Sequence, residues 1–578
     1  MEINKLVWKI GGEAGYGTMT TGLIFSKCCS RGGLHVFDYA EYPSLIRGGH
    51  NTYTIRTEDR EIYSQIKLVD LLVALNKETI DLHKNELTFN GAIIYDHENI
   101  NLDKNSVRQD IRLYQVPLLN LAREYGGDRL MTNSVSLGVS MAIIDYDFDI
   151  LVNVISDIYK DKGEKIVSAN INAAKGGYDY VRKNIQNDFK NKLRKISSEE
   201  KILLTGNEAL SIGAIKAGCK FVAIYPMTPT SSILHYMTSH DLNYSIVVKQ
   251  PEDEIAGINM AIGASFAGAR AMVATSGGGF CLMTEALGLA AITETPIVII
   301  VGQRGGPSTG LPTWTEQGDL RFVLHASQGD FPRIVLAPGD VDEFFYNAIK
   351  AFELAEKYHL PVIIFTDKYL AESHKTTKRF DDSKIRINRH GFISNEELNK
   401  ISEYKRFRDS ETGVSLRAVP GQKKGIFMVT SDEHQEDSLY NEEADNRKKM
   451  MDKRFRKLDY IIKEIPDPVL YGDKNSKITI IGWGSTKGPI LEGMRFLKEQ
   501  GINVRFLHLI YLNPFPVNKV SEIINDSNKT IVMENNKTGQ LCGLIKEKTG
   551  KDVNYKFLKY DGRPFYPEEV LDKIKEIQ

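Results

Sequence analysis

Short apolar runs alternate with polar turns and helix-period stretches along most of the chain. The first run, residues 5–10, leads into a glycine-rich turn, Gly11-Gly12-Glu13-Ala14-Gly15-Tyr16-Gly17, and then into a helix-like stretch over Thr18–Arg31. That order predicts strand, loop and helix. Further apolar runs at 34–37, 53–55, 68–75 and 92–95 fall between polar turns, as an α/β sheet requires, and the lysine-rich residues 187–201 read as a linker. From about 201 to 375 the same signals repeat with little interruption. Strands are expected at 202–204, 221–225, 244–248, 271–275, 296–301, 333–336 and 361–365, with helices at 209–217, 254–267 and 280–292. Several of these strands lack polar alternation, so they should be buried on both faces in a parallel sheet between helical layers. Residues 376–474 carry many charges and few long apolar runs, and 442–463 alternate charge in the manner of an exposed helix. This region is expected to be an arm or a connection between domains. The last hundred or so residues return to α/β order, with apolar runs at 478–481, 504–509 and 530–533 and helices at 488–499, 541–546 and from 567. The expectation is therefore a multidomain α/β protein, divided at 1–190, 201–375, 376–474 and 475–578.

Composition narrows the possible chemistry. At 578 residues the chain exceeds the usual domain size of roughly 100–200 residues several times over, in line with that division. No stretch approaches the roughly 18 consecutive apolar residues of a membrane span, and the N-terminal run is too short for a signal-peptide core, so a soluble cytoplasmic protein is expected. The charges nearly cancel, 74 Lys and Arg against 75 Asp and Glu, which leaves no global case for a nucleic acid or an anionic membrane as partner. The five cysteines, Cys28, Cys29, Cys219, Cys281 and Cys542, include no C-x-x-C pair. Local spacing can therefore assemble neither a zinc ribbon nor a four-cysteine iron-sulfur site, and any redox cluster must belong to another chain.

Candidate chemistry gathers at strand ends. The turn holding Gly12, Gly15 and Gly17 could cradle a phosphate at the following helix N-terminus. Its G-G-x-x-G-x-G spacing is not that of a dinucleotide or P-loop motif, so a tight structural turn stays an equal reading. Arg47-Gly48-Gly49-His50 precedes a strand and reads as a hairpin or bulge. Tyr225-Pro226-Met227-Thr228-Pro229-Thr230-Ser231 follows a buried strand and opens a helix, where open α/β sheets place ligands; a hydroxyl helix cap after a proline turn is the alternative. Glu252 and Asp253 suit a solvated first helical turn, whereas Glu254 lies against the buried side of an Ala/Gly-rich helix and needs a partner. Thr275-Ser276-Gly277-Gly278-Gly279 follows another strand, and Gln303-Arg304-Gly305-Gly306 a further one, with Arg304 suited to a carboxylate or phosphate. Four such loops at one sheet edge make a site.

These residues resemble the alpha subunit of the 2-oxoacid:ferredoxin oxidoreductases, thiamine-dependent enzymes that oxidatively decarboxylate 2-oxo acids to acyl-CoA. Residues 225–231 resemble the family's YPITPSS element, with Met227 for isoleucine and Thr230 for serine, and Glu254-x-Ala-Gly, Thr275-Ser276-Gly-Gly and Gly302-Gln303-Arg304 follow in the family's order. The loop 11–17 with Arg47-Gly48-Gly49 is similar to the gamma domain of the same enzymes; Asp432-Glu433-His434 and Asn446-Arg447-Lys448 are similar to the connecting region, and Glu534-Asn535 with Gly539-Gln540-Leu541 to the transketolase-C-like domain. The resemblance implies a gamma domain, a pyrimidine-type thiamine-diphosphate domain and a transketolase-C-like domain in one chain. It implies cofactor contacts from Tyr225, Pro226, Thr228, Glu254, Ser276 and Gly277, with Glu254 on the aminopyrimidine ring and Thr228 and Arg304 on the 2-oxo acid. Glu254, Thr228 and Arg304 would be the catalytic set. The resemblance further implies a separate beta subunit that carries the iron-sulfur cluster and most diphosphate and Mg2+ contacts, ferredoxin as acceptor, a heterodimer or dimer of heterodimers, and coenzyme A near the gamma-domain loop of Gly12, Gly15 and Gly17. A thiamine-dependent carboligase or transketolase relative and a non-catalytic CoA- or nucleotide-binding regulatory subunit are the other classes. The missing G-D-G of a complete thiamine-diphosphate motif speaks against the first, and the grouping of Thr228, Glu254 and Arg304 against the second.

Overall fold

The computed structural model describes residues 2–45 and 48–578 and divides into two compact units. The first comprises Met1–Thr205, Glu372–Arg379 and Tyr566–Gln578; the second comprises Gly206–Ala371 and Phe380–Phe565.

The first unit is built on an eight-stranded mixed sheet, in the order Arg112–Gln115, Leu87–Tyr95, Val69–Ala74, Lys5–Glu13, His50–Glu58, His35–Glu41, His374–Lys378 and Lys201–Thr205. The four strands at the first end run parallel and the rest pair antiparallel. Its core is a layer of aliphatic and aromatic side chains in which Trp8 stacks on Phe25 with ring centroids 4.5 Å apart. The helix Thr18–Arg31 has the expected bounds. The glycine turn is shorter than expected, because Gly11 and Gly12 stay in the strand, paired with Thr52 and Asn51. The strand Lys201–Thr205, expected to open the next segment, is instead the edge of this sheet and is reached only through His374–Lys378. The helix Pro567–Ile577, expected in the last domain, also lies in the first unit, where Glu568 Oε1 accepts from the Lys67 N–H at 3.0 Å. Within the presumed linker, Asn191–Lys192 pairs with Glu2–Ile3. Pairing of distant strands decides these memberships, and local pattern does not encode it.

The second unit holds two sheets. The larger runs Val247–Lys249, Cys219–Ala223, Arg270–Ser276, Ile297–Gln303, Pro361–Asp367, Ile334–Leu336 and Tyr511–Asn513, parallel but for the last strand. Every residue of the three central strands is buried, which explains their unbroken apolar runs. The smaller sheet runs Val469–Gly472, Arg505–Leu509, Ile478–Trp483, Lys529–Glu534 and Tyr555–Leu558. One apolar cluster draws on both, with Ile299, Phe365, Trp483 and Leu507 among its members. The run expected to be a strand at 244–248 begins instead as the short helix Asp241–Tyr244. In the larger sheet Ser276 pairs with Gly302 and Gln303 with Asp367, so these strands end together and their loops leave from one edge.

The charged region departs most from expectation. The helix Ala444–Glu464 buries Lys453, Arg454 and Lys457 instead of lying exposed. Lys453 Nζ and Lys457 Nζ each reach Glu294 at 2.6 Å, and Arg406 donates to the Glu294 carbonyl at 2.8 Å. Burial alone would raise the Glu294 carboxyl, yet Lys453 and Lys457 hold it well below the usual carboxylate range. Charge alternation marks a solvated helix only when no buried acid faces it. Glu294→Gln leaves two buried ammonium groups without their counter-charge and should lower the unfolding free energy by about 3–5 kcal/mol, measured by urea denaturation. Because the folded carboxyl is depressed, the wild-type advantage is present above the ordinary glutamate pKa of about 4.3 and fades as pH falls through the lower folded value.

Candidate functional site

The loops leaving one edge of the larger sheet carry the expected residues. The first, residues 225–231, is held from inside. Asn207 Nδ2 donates to Pro229 O and Ser232 Oγ, both at 2.7 Å, while the Thr230 N–H and Oγ1 donate to Met227 O at 2.8 and 3.0 Å. Thr230 is buried, whereas Pro226 and Thr228 are partly exposed and Tyr225 is 37% exposed, so the tight turn presents its outer residues. Arg304, in the loop after Ile297–Gln303, donates from Nη1 to Thr228 O at 2.9 Å. Thr228 and Arg304 therefore meet.

Of the acidic trio only Glu254 is buried. Glu252 is exposed, and Asp253 caps the helix Glu254–Phe266 by accepting from the Ala256 N–H at 2.8 Å. Glu254 is 3% exposed, and among the described residues its carboxylate has one hydrogen bond, a long one from Thr275 Oγ1 at 3.4 Å. Beside it the helix Gly277–Ile292 begins on three glycines with distinct surroundings. A Cβ on Gly279 would overlap Thr275 Oγ1 and Glu254 Oε1, one on Gly277 would overlap Asp319 Oδ2, and one on Gly278 would meet open space. The first and third glycines therefore clear room for two carboxyl groups on different sides of one helical turn. Ser276, which precedes this helix, is fully buried with its Oγ unpartnered.

Four polar residues of this neighbourhood escape sequence reasoning: Asn207, Glu316, Gln317 and Asp319. Asp319 occupies the cap position of Leu320–His325, yet its side chain makes no capping bond and lies against Gly277; its N–H donates to Gln303 Oε1 at 3.1 Å. Burial first, and Glu316 second, push its carboxyl up to about 6 against the pull of Arg304. An acid directly before an apolar helix is the one sequence signal that Asp319 offers, and it points to an ordinary cap. Gln317 is fully buried and anchors this loop to the smaller sheet: its N–H and Nε2 donate to Asn535 O and Trp483 O at 2.7 and 2.9 Å, and its Oε1 accepts from the Asn535 N–H at 2.9 Å. Nearby, Glu534 accepts from the Leu541 N–H at 2.9 Å and so satisfies the start of Gln540–Thr549.

The first unit has its own recess of about 610 Å³, lined by Gly15, Tyr16, Gly17, Thr20, Arg129 and Asn133 among others. Gly15 and Gly17 have φ of 96° and 74°, so the loop takes a path that favours glycine. Gly12 is not part of the lining but sits in the strand. Arg47 lies outside the described residues. Four of the cysteines are buried and Cys281 is exposed. Among the described residues no group of three or more His, Cys, Asp and Glu could hold a metal ion, and no helix is long and apolar enough to cross a membrane.

Comparison with known proteins gives a consistent picture. Residues 212–453 match the family described as pyruvate flavodoxin/ferredoxin oxidoreductase, thiamine diP-bdg; 7–180 match pyruvate ferredoxin/flavodoxin oxidoreductase; and 476–570 match pyruvate:ferredoxin oxidoreductase core domain II. A 2-oxoacid:ferredoxin oxidoreductase subunit alpha of Sulfolobus sp. is 34% identical over 99% of this chain and 97% of its own length. The 2-oxoglutarate oxidoreductase subunit KorA of Mycobacterium tuberculosis is 30% identical over 98% of this chain and 91% of its own. Among solved structures, the 2-oxoglutarate:ferredoxin oxidoreductase of Magnetococcus marinus with 2-oxoglutarate, coenzyme A and succinyl-CoA bound is similar over 100% of both chains, with a TM-score of 0.93 and 31% identity.

The glycine contacts make a paired prediction. Gly279→Ala should destabilise the chain by about 1–3 kcal/mol through overpacking, whereas Gly278→Ala should stabilise it by up to about 1 kcal/mol through helix propensity. Urea unfolding of the two variants checks this, and equal midpoints would contradict the packing around Glu254.

Proposed function

We propose that this chain, which belongs to the 2-oxoacid:ferredoxin oxidoreductase family, is the alpha subunit of an enzyme that converts a 2-oxo acid and coenzyme A to acyl-CoA and CO2 and passes the electrons through a partner beta subunit to ferredoxin. The observation that carries the reading is the convergence on one sheet edge of a buried, under-bonded carboxylate, Glu254, with the Thr228–Arg304 pair. Thiamine diphosphate fits this edge. A carboxylate with one long hydrogen bond has capacity for a ring nitrogen, and the buried, unpartnered Ser276 Oγ supplies a further polar contact. When bound, that cofactor supplies a nucleophilic carbon and a sink for the electron pair released on loss of CO2.

The chain's residues take the remaining roles. Glu254 holds a proton against the aminopyrimidine nitrogen, and its burial makes that hydrogen bond stronger than it would be in water. Arg304 grips the carboxylate of the 2-oxo acid, and Thr228 offers its hydroxyl to the keto oxygen; the arginine's bond to Thr228 O fixes both on one turn. Tyr225 and Pro226, on the outer side of the same turn, and Gly277, at the helix start, line the cofactor. The beta subunit is assigned Mg2+, most diphosphate contacts and the iron-sulfur cluster, because this chain has no C-x-x-C pair from which to build one. In the cytoplasm the two would form a heterodimer or a dimer of heterodimers. The recess at Gly15 and Gly17 is of ligand size, and Arg129 on its wall suits a phosphate, so the nucleotide end of coenzyme A is placed there.

The purified chain should be colourless and inactive until its beta subunit is added. In the assembled enzyme, Glu254→Gln should lower kcat by about a hundred- to ten-thousandfold with an unchanged unfolding midpoint. Arg304→Ala should raise KM for the 2-oxo acid by the equivalent of about 1.5–3 kcal/mol, while Arg129→Ala should raise KM for coenzyme A alone. A panel of 2-oxo acids assayed with coenzyme A and a low-potential acceptor tests all of these and identifies the substrate; normal turnover in Glu254→Gln would remove the assignment.

A further inference from the structure

The loop that carries Arg304 returns after a short excursion to bring a second charged group, Asp319, against Gln303 and Gly277. Asp319 is fixed at its backbone by Gln303 Oε1, the side chain of the residue just before Arg304, and its position in the chain is locked by the neighbouring Gln317. Its carboxyl lies against Gly277, where an added Cβ would overlap Oδ2, and among the described residues receives no hydrogen bond. Arg304 is within electrostatic reach, as are Glu316 from the same loop and the Cys281 thiol from the adjoining helix. Arg304 itself donates to a neutral carbonyl, Thr228 O, and among the described residues to no carboxylate. Its charge is thus opposed at a distance and left free to bind an anion.

We propose that Asp319 is a positioning residue for the substrate site, which sets the effective charge with which Arg304 meets the carboxylate of a 2-oxo acid. This rests on the reading of Arg304 as the substrate-binding arginine. An ionised Asp319 offsets part of the Arg304 charge and repels the incoming carboxylate; a protonated one does neither. The 2-oxo acid is ionised throughout the physiological range, so the titration belongs to the protein. With the Asp319 carboxyl pushed up to about 6, chiefly by burial and then by Glu316, the change falls where an enzyme assay can follow it. Below that value the site is more cationic and binds the substrate more tightly; above it, binding weakens. Glu316, whose carboxyl burial also raises, shifts the midpoint and does not reverse the sign.

The experiment uses the enzyme isolated with its native beta subunit and measures KM and kcat for pyruvate and 2-oxoglutarate between about pH 5.5 and pH 8, a window spanning the shifted carboxyl. In the wild type KM should rise about three- to tenfold across that window. Asp319→Asn, which keeps the shape and loses the charge, should flatten the profile near its low-pH value while kcat changes little. In an Arg304→Gln background Asp319→Asn should change KM by a smaller factor than in the wild type, because only the direct repulsion of the carboxylate remains to be removed. A wild-type slope retained by Asp319→Asn would overturn the inference while leaving the arginine in place. A normal KM in Arg304→Gln would instead overturn the site reading on which it rests. Should Asp319→Asn fail to assemble, the wild-type profile decides: a flat KM between those limits overturns the proposal, and Asp319→Ser repeats the comparison.

Discussion

The second unit depends on one buried amide. Gln317 uses its backbone and side chain together: it donates to Asn535 O and Trp483 O, accepts at its side chain from the Asn535 N–H, and accepts at its carbonyl from Asn536 Nδ2 at 3.1 Å. A polar group this deep is tolerated because its amide nitrogen, amide oxygen, backbone N–H and carbonyl each have a partner, and leaving any one of them unpaired would cost more than the bond contributes. The arrangement welds the loop after Ile297–Gln303 to the smaller sheet. Arg304 and Asp319 lie on that loop, so the stiffness of the substrate edge comes from hydrogen bonds made some distance from it. The Glu534-Asn535 and Gly539-Gln540-Leu541 residues acquire a reason in this bracing.

The same edge shows how carboxylates are given room between packed elements. Glu254 and Asp319 are carried by different elements, yet both lie against the first turn of Gly277–Ile292, whose missing side chains create the space. Glycine at a helix start lowers helix stability, and here the loss is offset by a buried sheet on one side and helix packing on the other. Elsewhere in the unit the opposite solution appears: Glu294 is surrounded by lysines and fully paired. One buried acid is neutralised by the fold, whereas Glu254 is left with capacity to spare. That contrast separates a structural carboxylate from one available to a ligand.

Much of this was legible in the sequence, for identifiable reasons. Parallel strands buried on both faces leave unbroken apolar runs, so the loops at their ends, with Thr228, Glu254, Ser276 and Arg304, stand out at once. Asn207, Gln317 and Asp319 did not stand out, because their partners lie far along the chain or across a sheet and no spacing rule connects them. The place of the edge strand Lys201–Thr205 in the first unit's sheet is hidden for a similar reason: its partner, His374–Lys378, is distant in sequence. Charge alternation in Ala444–Glu464 could not reveal that its lysines face a buried glutamate. Local pattern reports what a segment can form, and tertiary partners decide which face is covered.

The first unit's sheet is discontinuous in sequence, since Lys201–Thr205 joins it only by way of His374–Lys378 and the helix Pro567–Ile577 packs in the same unit. During synthesis the early strands must therefore wait, with an open sheet edge, while Gly206–Ala371 of the second unit emerges from the ribosome. An open edge is a template for pairing with other chains. Cellular yield should accordingly depend on how quickly the later residues arrive, and a pause in translation ahead of residue 374 would expose the nascent chain to aggregation for longer than one placed after it.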